Sequence, residues 1–380
     1  MPQLTLTPEQ QLLRDSAQQL LRAAAPISEL RRQRDQPAAS GLQLELWREL
    51  AQLGWIGSSF PEAYGGAGLG HTELGVVLEA CGATLAATPL LSSVLLAGGA
   101  ILEAGSEAQK LELLPAIASG ELLAALAFEE RPRFAPHHVE CTAERSGHAF
   151  RLTGHKRFVL DGHAADKLIV SARTSGASGA RTGVSLFLVD PKSPGVRIRR
   201  TALIDSRSAA TLSLEAVEVP AAALLGPIDQ GAEVLDRVLD RAVIGLCAEL
   251  LGLVTQAYEI TLEYLKTRVQ FDVLIGSFQA LQHRAVDMFC ELELAKSIVA
   301  AALSAVDRRA DDVPLLASAA KAKLCEVSRL VTREAIQLHG GIGMTDEHDI
   351  GLYLKRAAVA EACLGDLAYH RDRFARLQRF

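Results

Sequence analysis

Arg268-Val269-Gln270-Phe271, followed by Phe278-Gln279-Ala280-Leu281-Gln282-His283, interrupts two long helical patterns, and its reading decides the fold. Apolar residues keep a helical period from about 232 to 267 and resume it from about 277 to 309. Two more such runs span about 313 to 338 and 349 to 378, the first opened by Pro314 after Asp311-Asp312. Four long Ala- and Leu-rich helices predict an antiparallel bundle. Inside the interruption, the Arg268 guanidinium suits bidentate, charge-assisted bonds to phosphate oxygens. Taken alone, a surface ion pair beside a core Phe is the plainer reading.

Outward from the bundle, the texture changes. Between about 121 and 228, β-branched and alternating runs dominate: Ala149 to Thr153, Lys167 to Ser171, Val184 to Val189, Gly195 to Ile198 and Thr211 to Val219. Ser175 to Gly183 reads as a flexible hairpin loop. Residues 1 to about 120 read as helices. Thr7-Pro8-Glu9 is a helix start, a second helix runs from about Leu42 to Leu53, a third from 72 to Gly82, and Glu107 to Gly120 carries Pro115 as a kink. Three segments follow: a helical domain over 1–120, a β domain over 121–228 and a helical bundle over 229–380.

The chain has 380 residues, nearly half of them hydrophobic, and 39 Lys and Arg against 45 Asp and Glu. A net charge of −6 gives no electrostatic footprint for nucleic acid or an anionic membrane. None of the six cysteines pairs as C-x-x-C, so they read as free, buried thiols in a reducing, cytoplasmic compartment. The opening MPQLTLTPEQ lacks the pattern of a targeting signal. Cys81 to Leu102 carries no charge over a length that could span a bilayer, but Pro89 and Gly98-Gly99 favour two short buried helices. The run Glu347-His348-Asp349 with His339 is a poor metal ligand set, and no metal is expected.

Local motifs narrow the function. Gly54-Trp55-Ile56-Gly57 with Phe60-Pro61-Glu62-Ala63-Tyr64-Gly65-Gly66 and the stretch Gly105-Ser106-Glu107 to Leu114-Pro115 resemble the N-terminal signatures of the acyl-CoA dehydrogenase family. Arg268 and Phe271, with Gln279 eleven residues after the Arg, resemble that family's R-x-x-F…Q, and Gln337-Leu338-His339-Gly340-Gly341-Ile342-Gly343 its Q-x-x-G-G-x-G. The resemblance implies an FAD-dependent α,β-dehydrogenation of an acyl-CoA thioester. It implies that Arg268, Gln270, Phe271, Gln279, Gln337, Gly340 and Gly341 hold the pyrophosphate and adenosine half of an FAD belonging to a neighbouring subunit. A homo- or hetero-oligomer (dimer or tetramer) and an electron-acceptor flavoprotein are the partners it implies.

Other positions depart from the family. The usual base falls at Leu364 and the alternative one at Ala242, so neither carries an acid. Asp366 is the nearest replacement, with Asp240 and Glu249 behind it, although a helix cap or surface role is the plainer reading of each. The family's W-I-T beside the flavin ring corresponds to Phe158-Val159-Leu160, and its T-E-P-x-x-G-S-D to Phe128-Glu129-Glu130-Arg131-Pro132-Arg133. The family's CoA-binding Arg falls at Val243, and Arg241 lies on another helix face. Residues serving a neighbour's FAD are kept, while those serving the chain's own flavin and base are lost. The pattern resembles the subgroup built from two different chains, which often handles steroid side chains. The alternative is a non-catalytic subunit that only clamps its neighbour's FAD.

Overall fold

The computed structural model describes residues 5–36 and 41–380. Met1–Leu4, part of the opening stretch inspected above for a targeting signal, lie outside the described residues. The helices α1 (Pro8–Ala24), α2 (Ile27–Asp35), α3 (Leu44–Gln52) and α4 (His71–Thr84) come first, then a π-helical segment Leu90–Gly98, α5 (Gly99–Ala104) and α6 (Glu107–Ala118). The strands are β1 (Ala124–Ala127), β2 (Thr142–Ser146), β3 (Ala149–Leu160), β4 (Lys167–Arg173), β5 (Val184–Val189), β6 (Val196–Ala202), β7 (Ser208–Pro220) and β8 (Leu224–Leu225). After α7 (Gly231–Thr267) come β9 (Val269–Gln270), β10 (Val273–Leu274), α8 (Gln279–Asp307), α9 (Val313–His339), α10 (Ile350–Ala362) and α11 (Leu367–Leu377). The chain is thus mostly helical with a central β sheet.

Two compact units share these elements. The first comprises Met1–Asp35, His71–Ala87 and Val243–Phe380, and the second Gln36–Gly70 with Thr88–Ala242. In the first, Thr7 caps α1 as its sequence foretells: Gln10 N donates to Thr7 Oγ1 at 3.2 Å, and Thr7 N donates to the Gln10 side chain at 3.0 Å. Helix α2 escapes the sequence reading because it buries only Leu30 and Gln33 and so shows little apolar period. Helices α4 and α7 meet backbone to backbone. A Cβ on Gly82 would lie 1.9 Å from the Glu249 carbonyl oxygen, and one on Gly252 would lie 1.8 Å from that of Glu79. The helix expected over 349–378 is two helices, because the chain turns at Leu364 (φ 57°) and Gly365 (φ 96°) before α11 starts.

The second unit is built on the sheet, ordered β6-β7-β3-β2-β4-β5-β8 with β1 beside β4. The uncharged stretch from Cys81 ends α4 and then forms the π-helical segment, all nine of whose residues are buried, and α5. No helix among the described residues is long and apolar enough to cross a membrane. The β4–β5 loop, expected to be flexible, is organised around one side chain. The Arg173 guanidinium donates to the carbonyls of Val139 (2.9 Å), Thr182 (3.0 Å) and Ala180 (3.1 Å), among others. Five of the six cysteines are buried as expected, whereas Cys290 is exposed.

The glycine crossing has a direct test. Gly252→Ala should lower stability by about 1–3 kcal/mol, read as a lower urea midpoint, because a methyl must push α4 away. Gly351→Ala, where a Cβ meets open space, should leave the midpoint unchanged or raise it.

Candidate functional site

Helix α7 ends in a tight hairpin, β9 paired with β10, whose two-residue turn is Phe271-Asp272. Both turn residues are left-handed, with φ of 55° and 62°. That conformation matches the primed turns of short hairpins but is costly for residues other than Gly or Asn. Phe271 is 86% exposed at the tip and packs only edge-on against Phe278, with ring centroids 6.2 Å apart. The core position set beside the phosphate reading is therefore wrong for this Phe. Arg268 is anchored through its backbone, donating to Tyr264 O and accepting from Ile275 N, each at 2.9 Å. Its side chain is exposed, as are those of Gln270 and Gln279. No hydrogen bond or ion pair among the described residues engages the Arg268 guanidinium or the Gln279 carboxamide. Gln270 donates to Val269 O at 3.0 Å.

Helix α9 delivers the second motif. It ends where Gly340 turns to φ 63°, with Gln337, Gly340 and Gly341 all exposed. A Cβ on Gly340 or Gly341 would meet nothing within 4 Å, so the space over both is open. Gly343 is different, since a Cβ there would lie 2.7 Å from Ile336 O. The turn rests on a stack the sequence reading missed. The Tyr264 and His339 rings lie 4.4 Å apart, and His339 and His348 lie 4.3 Å apart. His339 Nδ1 faces Ala335 O at 2.7 Å, and its Nε2 is buried with no partner. Burial lowers the affinity of this imidazole for a second proton. Two arginines from α2 fasten the following loop: Arg31 Nη2 to Asp349 at 2.8 Å and Arg34 Nη1 to Asp346 at 2.6 Å. No group of three or more His, Cys, Asp or Glu placed to hold a metal ion occurs among the described residues.

The open space over two glycines and, at the hairpin, an exposed and unengaged guanidinium are each of a chemistry that fits a phosphate-bearing group. The two positions where the family's base is expected are filled differently. Leu364 is buried, and its carbonyl faces His370 Nε2 at 2.8 Å. The buried Lys321 ammonium gathers the turn, lying 2.8 Å from Gly365 O, 2.9 Å from the carbonyls of Glu361 and Cys363, and 3.1 Å from Ala360 O. Nothing about a Lys in an apolar helix face announces this role in the sequence. Asp366, the carboxylate named above as a replacement base, is exposed and caps α11 by accepting from Tyr369 N at 2.9 Å. Glu249 is held in a buried ion pair with Arg356 at 2.9 Å, and Asp240 and Ala242 are buried in α7. Arg241 pairs with Glu103 at 2.8 Å.

In the sheet unit, Phe158-Val159-Leu160 sits at a bulge. The β3–β7 register shifts between Lys156 and Val159, and Phe158 takes φ 50°. The Val159 side chain is buried. The altered loop after β1 is fixed by a buried ion pair, Lys156 Nζ to Glu130 at 2.5 Å, while Glu130 also accepts from the backbone of Glu140 and Cys141. Phe128 is buried edge-on to Phe134. Burial pushes the Glu129 carboxyl up to about 8.

Family models match almost end to end: the acyl-CoA dehydrogenase N-terminal domain over residues 7–121, the middle domain over 129–217 and the C-terminal domain over 229–378. The chain belongs to the acyl-CoA dehydrogenase family. These are flavoprotein oxidoreductases acting on a CH–CH bond, and the three-part resemblance read from the motifs holds. A Mycobacterium tuberculosis acyl-CoA dehydrogenase, FadE27, is 32% identical over 84% of this chain and 84% of its own. The structure of a variant of the steroid acyl-CoA dehydrogenase Tcur3481–Tcur3483 superposes with a TM-score of 0.88 at 34% identity, covering 99% of each chain. A chain of the ChsE4–ChsE5 complex of M. tuberculosis superposes with a TM-score of 0.90 at 29% identity, again covering 99% of each.

Two outcomes follow for the turn at Leu364. Lys321→Met strips the donor from four carbonyls and should cost about 3 kcal/mol of stability in urea denaturation. His370 stays neutral in the fold down to about pH 3, against an ordinary value of 6.5, because it is buried. Only the unfolded chain takes up that proton over this window, so stability should decline as pH falls from about 6.5 toward about 3. His370→Gln should flatten the decline by up to about 1.4 kcal/mol per pH unit.

Proposed function

We propose that this chain is one subunit of a heteromeric, FAD-dependent acyl-CoA dehydrogenase and that it grips an FAD housed mainly by its partner chain. Arg268, Gln270, Phe271, Gln279, Gln337, Gly340 and Gly341 would hold the pyrophosphate and adenosine half. The observation that carries this reading is the state of those groups. They are all exposed, and the Arg268 guanidinium and Gln279 carboxamide have no partner of their own among the described residues. A cation left without a counter-ion among the described residues, on the unit that also carries an open glycine turn, suits an anion from outside.

The dehydrogenation needs a base at the α-carbon of the thioester and a hydride acceptor at the β-carbon. Bound FAD supplies the acceptor. This chain offers no carboxylate at either base position, and Asp366 and Glu249 are engaged in a cap and an ion pair. The base therefore comes from the partner, and electrons leave to an acceptor flavoprotein. Leu160 in place of a hydroxyl, the Phe158 bulge and the buried Glu130–Lys156 pair leave Phe158-Val159-Leu160 unsuited to a flavin of the chain's own. Heteromers are familiar among its structural relatives, one of which is a steroid acyl-CoA dehydrogenase, and a bulky acyl group is the substrate class we favour. The exposed apolar side chains of Val269, Phe271 and Val273 on the hairpin and of Val286, Phe289 and Leu294 on α8 suit burial against another chain.

Purified alone, the chain should carry no flavin absorbance and no activity on a panel of acyl-CoA thioesters. Co-expressed with a base-bearing dehydrogenase chain, it should yield a yellow, active complex. Arg268→Ala in that complex should cut FAD affinity roughly ten- to one-hundred-fold, the loss of a charge-assisted phosphate contact. Full activity from the isolated chain would refute the proposal.

A further inference from the structure

The first unit holds a second hollow, apart from the clamp. Helices α1, α4, α7 and α8 bound a cleft of about 560 Å³, within the roughly 300–1,000 Å³ range of small-molecule sites. Leu6, Val76, Leu251, Val299, Ala300 and Leu303 give it an apolar wall. A smaller hollow of about 110 Å³ shares Gln18, Glu79 and Thr255 with it. None of these residues belongs to the clamp or to the turn at Leu364.

Two polar groups there lack a hydrogen-bond partner among the described residues. Thr255 lies within α7 with its hydroxyl buried and unbonded. A helical Thr ordinarily bonds back to the carbonyl one turn before it, as Thr261 does to Ala257 at 2.7 Å. Glu79 projects from α4 with no hydrogen bond to its carboxyl among the described residues. Burial pushes that carboxyl up, against the opposing pull of Lys296 and Arg14.

The border of the cleft is cationic, with Arg14, Lys296 and Arg308. Asp307, the acid among them, is engaged at the start of α4, accepting from His71 N at 2.5 Å and Thr72 N at 3.1 Å. Arg14 and Lys296 make ion pairs with the neighbouring surface acids Asp15 and Glu293, and exposed pairs of this kind are weak and easily exchanged.

We propose that this cleft binds a medium-chain monocarboxylate, its hydrocarbon along the apolar wall and its carboxylate among Arg14, Lys296 and Thr255. Burial pushes the Glu79 carboxyl up, which weakens its competition with the ligand for Arg14 and Lys296. An amine of the same length would meet three cations against Glu79 and the engaged Asp307.

Calorimetric titration of the full chain, together with whatever subunit accompanies it, tests the site with decanoate and decylamine as probes. Decanoate should bind saturably and decylamine should not. Thr255→Val and Arg14→Ala should each weaken decanoate about five-fold or more, the loss of one bond to a charged group. Glu79→Gln should hold affinity within about two-fold or strengthen it, because it removes an acid that competes for Arg14 and Lys296 while a carboxamide can donate. Ala300→Phe fills the hollow and should abolish binding while leaving acyl-CoA turnover unchanged. A null titration, decylamine binding instead, or undiminished decanoate binding by Ala300→Phe would overturn the proposal. Should Ala300→Phe shift the urea midpoint, Arg14→Ala on the half-exposed first helix decides the matter: undiminished binding there refutes it as well.

Discussion

The tightest constraint in the helical unit is the crossing of α4 and α7, where only hydrogen atoms fit between one helix and the other's carbonyl oxygens. Gly82 faces Glu249 and Gly252 faces Glu79. Because the contact is between backbones, it leaves α7 no freedom to slide or roll by a side chain's width. From that fixed point the helix runs on to Thr267, and the hairpin bearing Arg268 starts from its last turn. The position of one guanidinium is thus set by two missing side chains some four turns earlier.

Around Arg268 the structure repeats a single device: a rigid backbone feature presents an unengaged group outward. The hairpin does so with Phe271, held left-handed at its tip. The end of α9 does so with Gly340 and Gly341, stiffened beneath by the Tyr264, His339 and His348 rings and beside by the arginines of α2. Pre-ordered groups lose little entropy when a ligand arrives. The cost is carried by the isolated chain, as strained φ angles and apolar side chains left in water.

Much of this was legible from the residues. Long helical periods, alternating strands, the Thr7 cap and the glycine-rich motifs are local patterns, and local patterns survive into the fold. That Leu364 and Ala242 stand at the two positions expected for the family's base was legible too, since residue types need no coordinates. What escaped was whatever depends on distant partners. Helix α2 is too polar to show a period. Ser175 to Gly183 looked loose because nothing in it names Arg173. Lys321 reads as one more helix-face lysine until four carbonyls converge on it. Asp366 reads in the sequence as a cap or a base, and the fold supplies the partner for the cap in Tyr369 N.

That buried lysine also bears on history. Leu364 falls where the resemblance places the family's base, and its side chain is packed away, its carbonyl meets His370, and the carbonyls around it converge on Lys321. Returning a carboxylate to that spot would place a charge in a pocket shaped for a hydrocarbon, at a cost of several kcal/mol. The neighbours would have to change before the acid could be tolerated, and none of those changes helps until the acid is present. On the reading of this chain as a base-free subunit, its specialisation is therefore a one-way door: mutation can diversify what it grips, but a single step cannot supply a base.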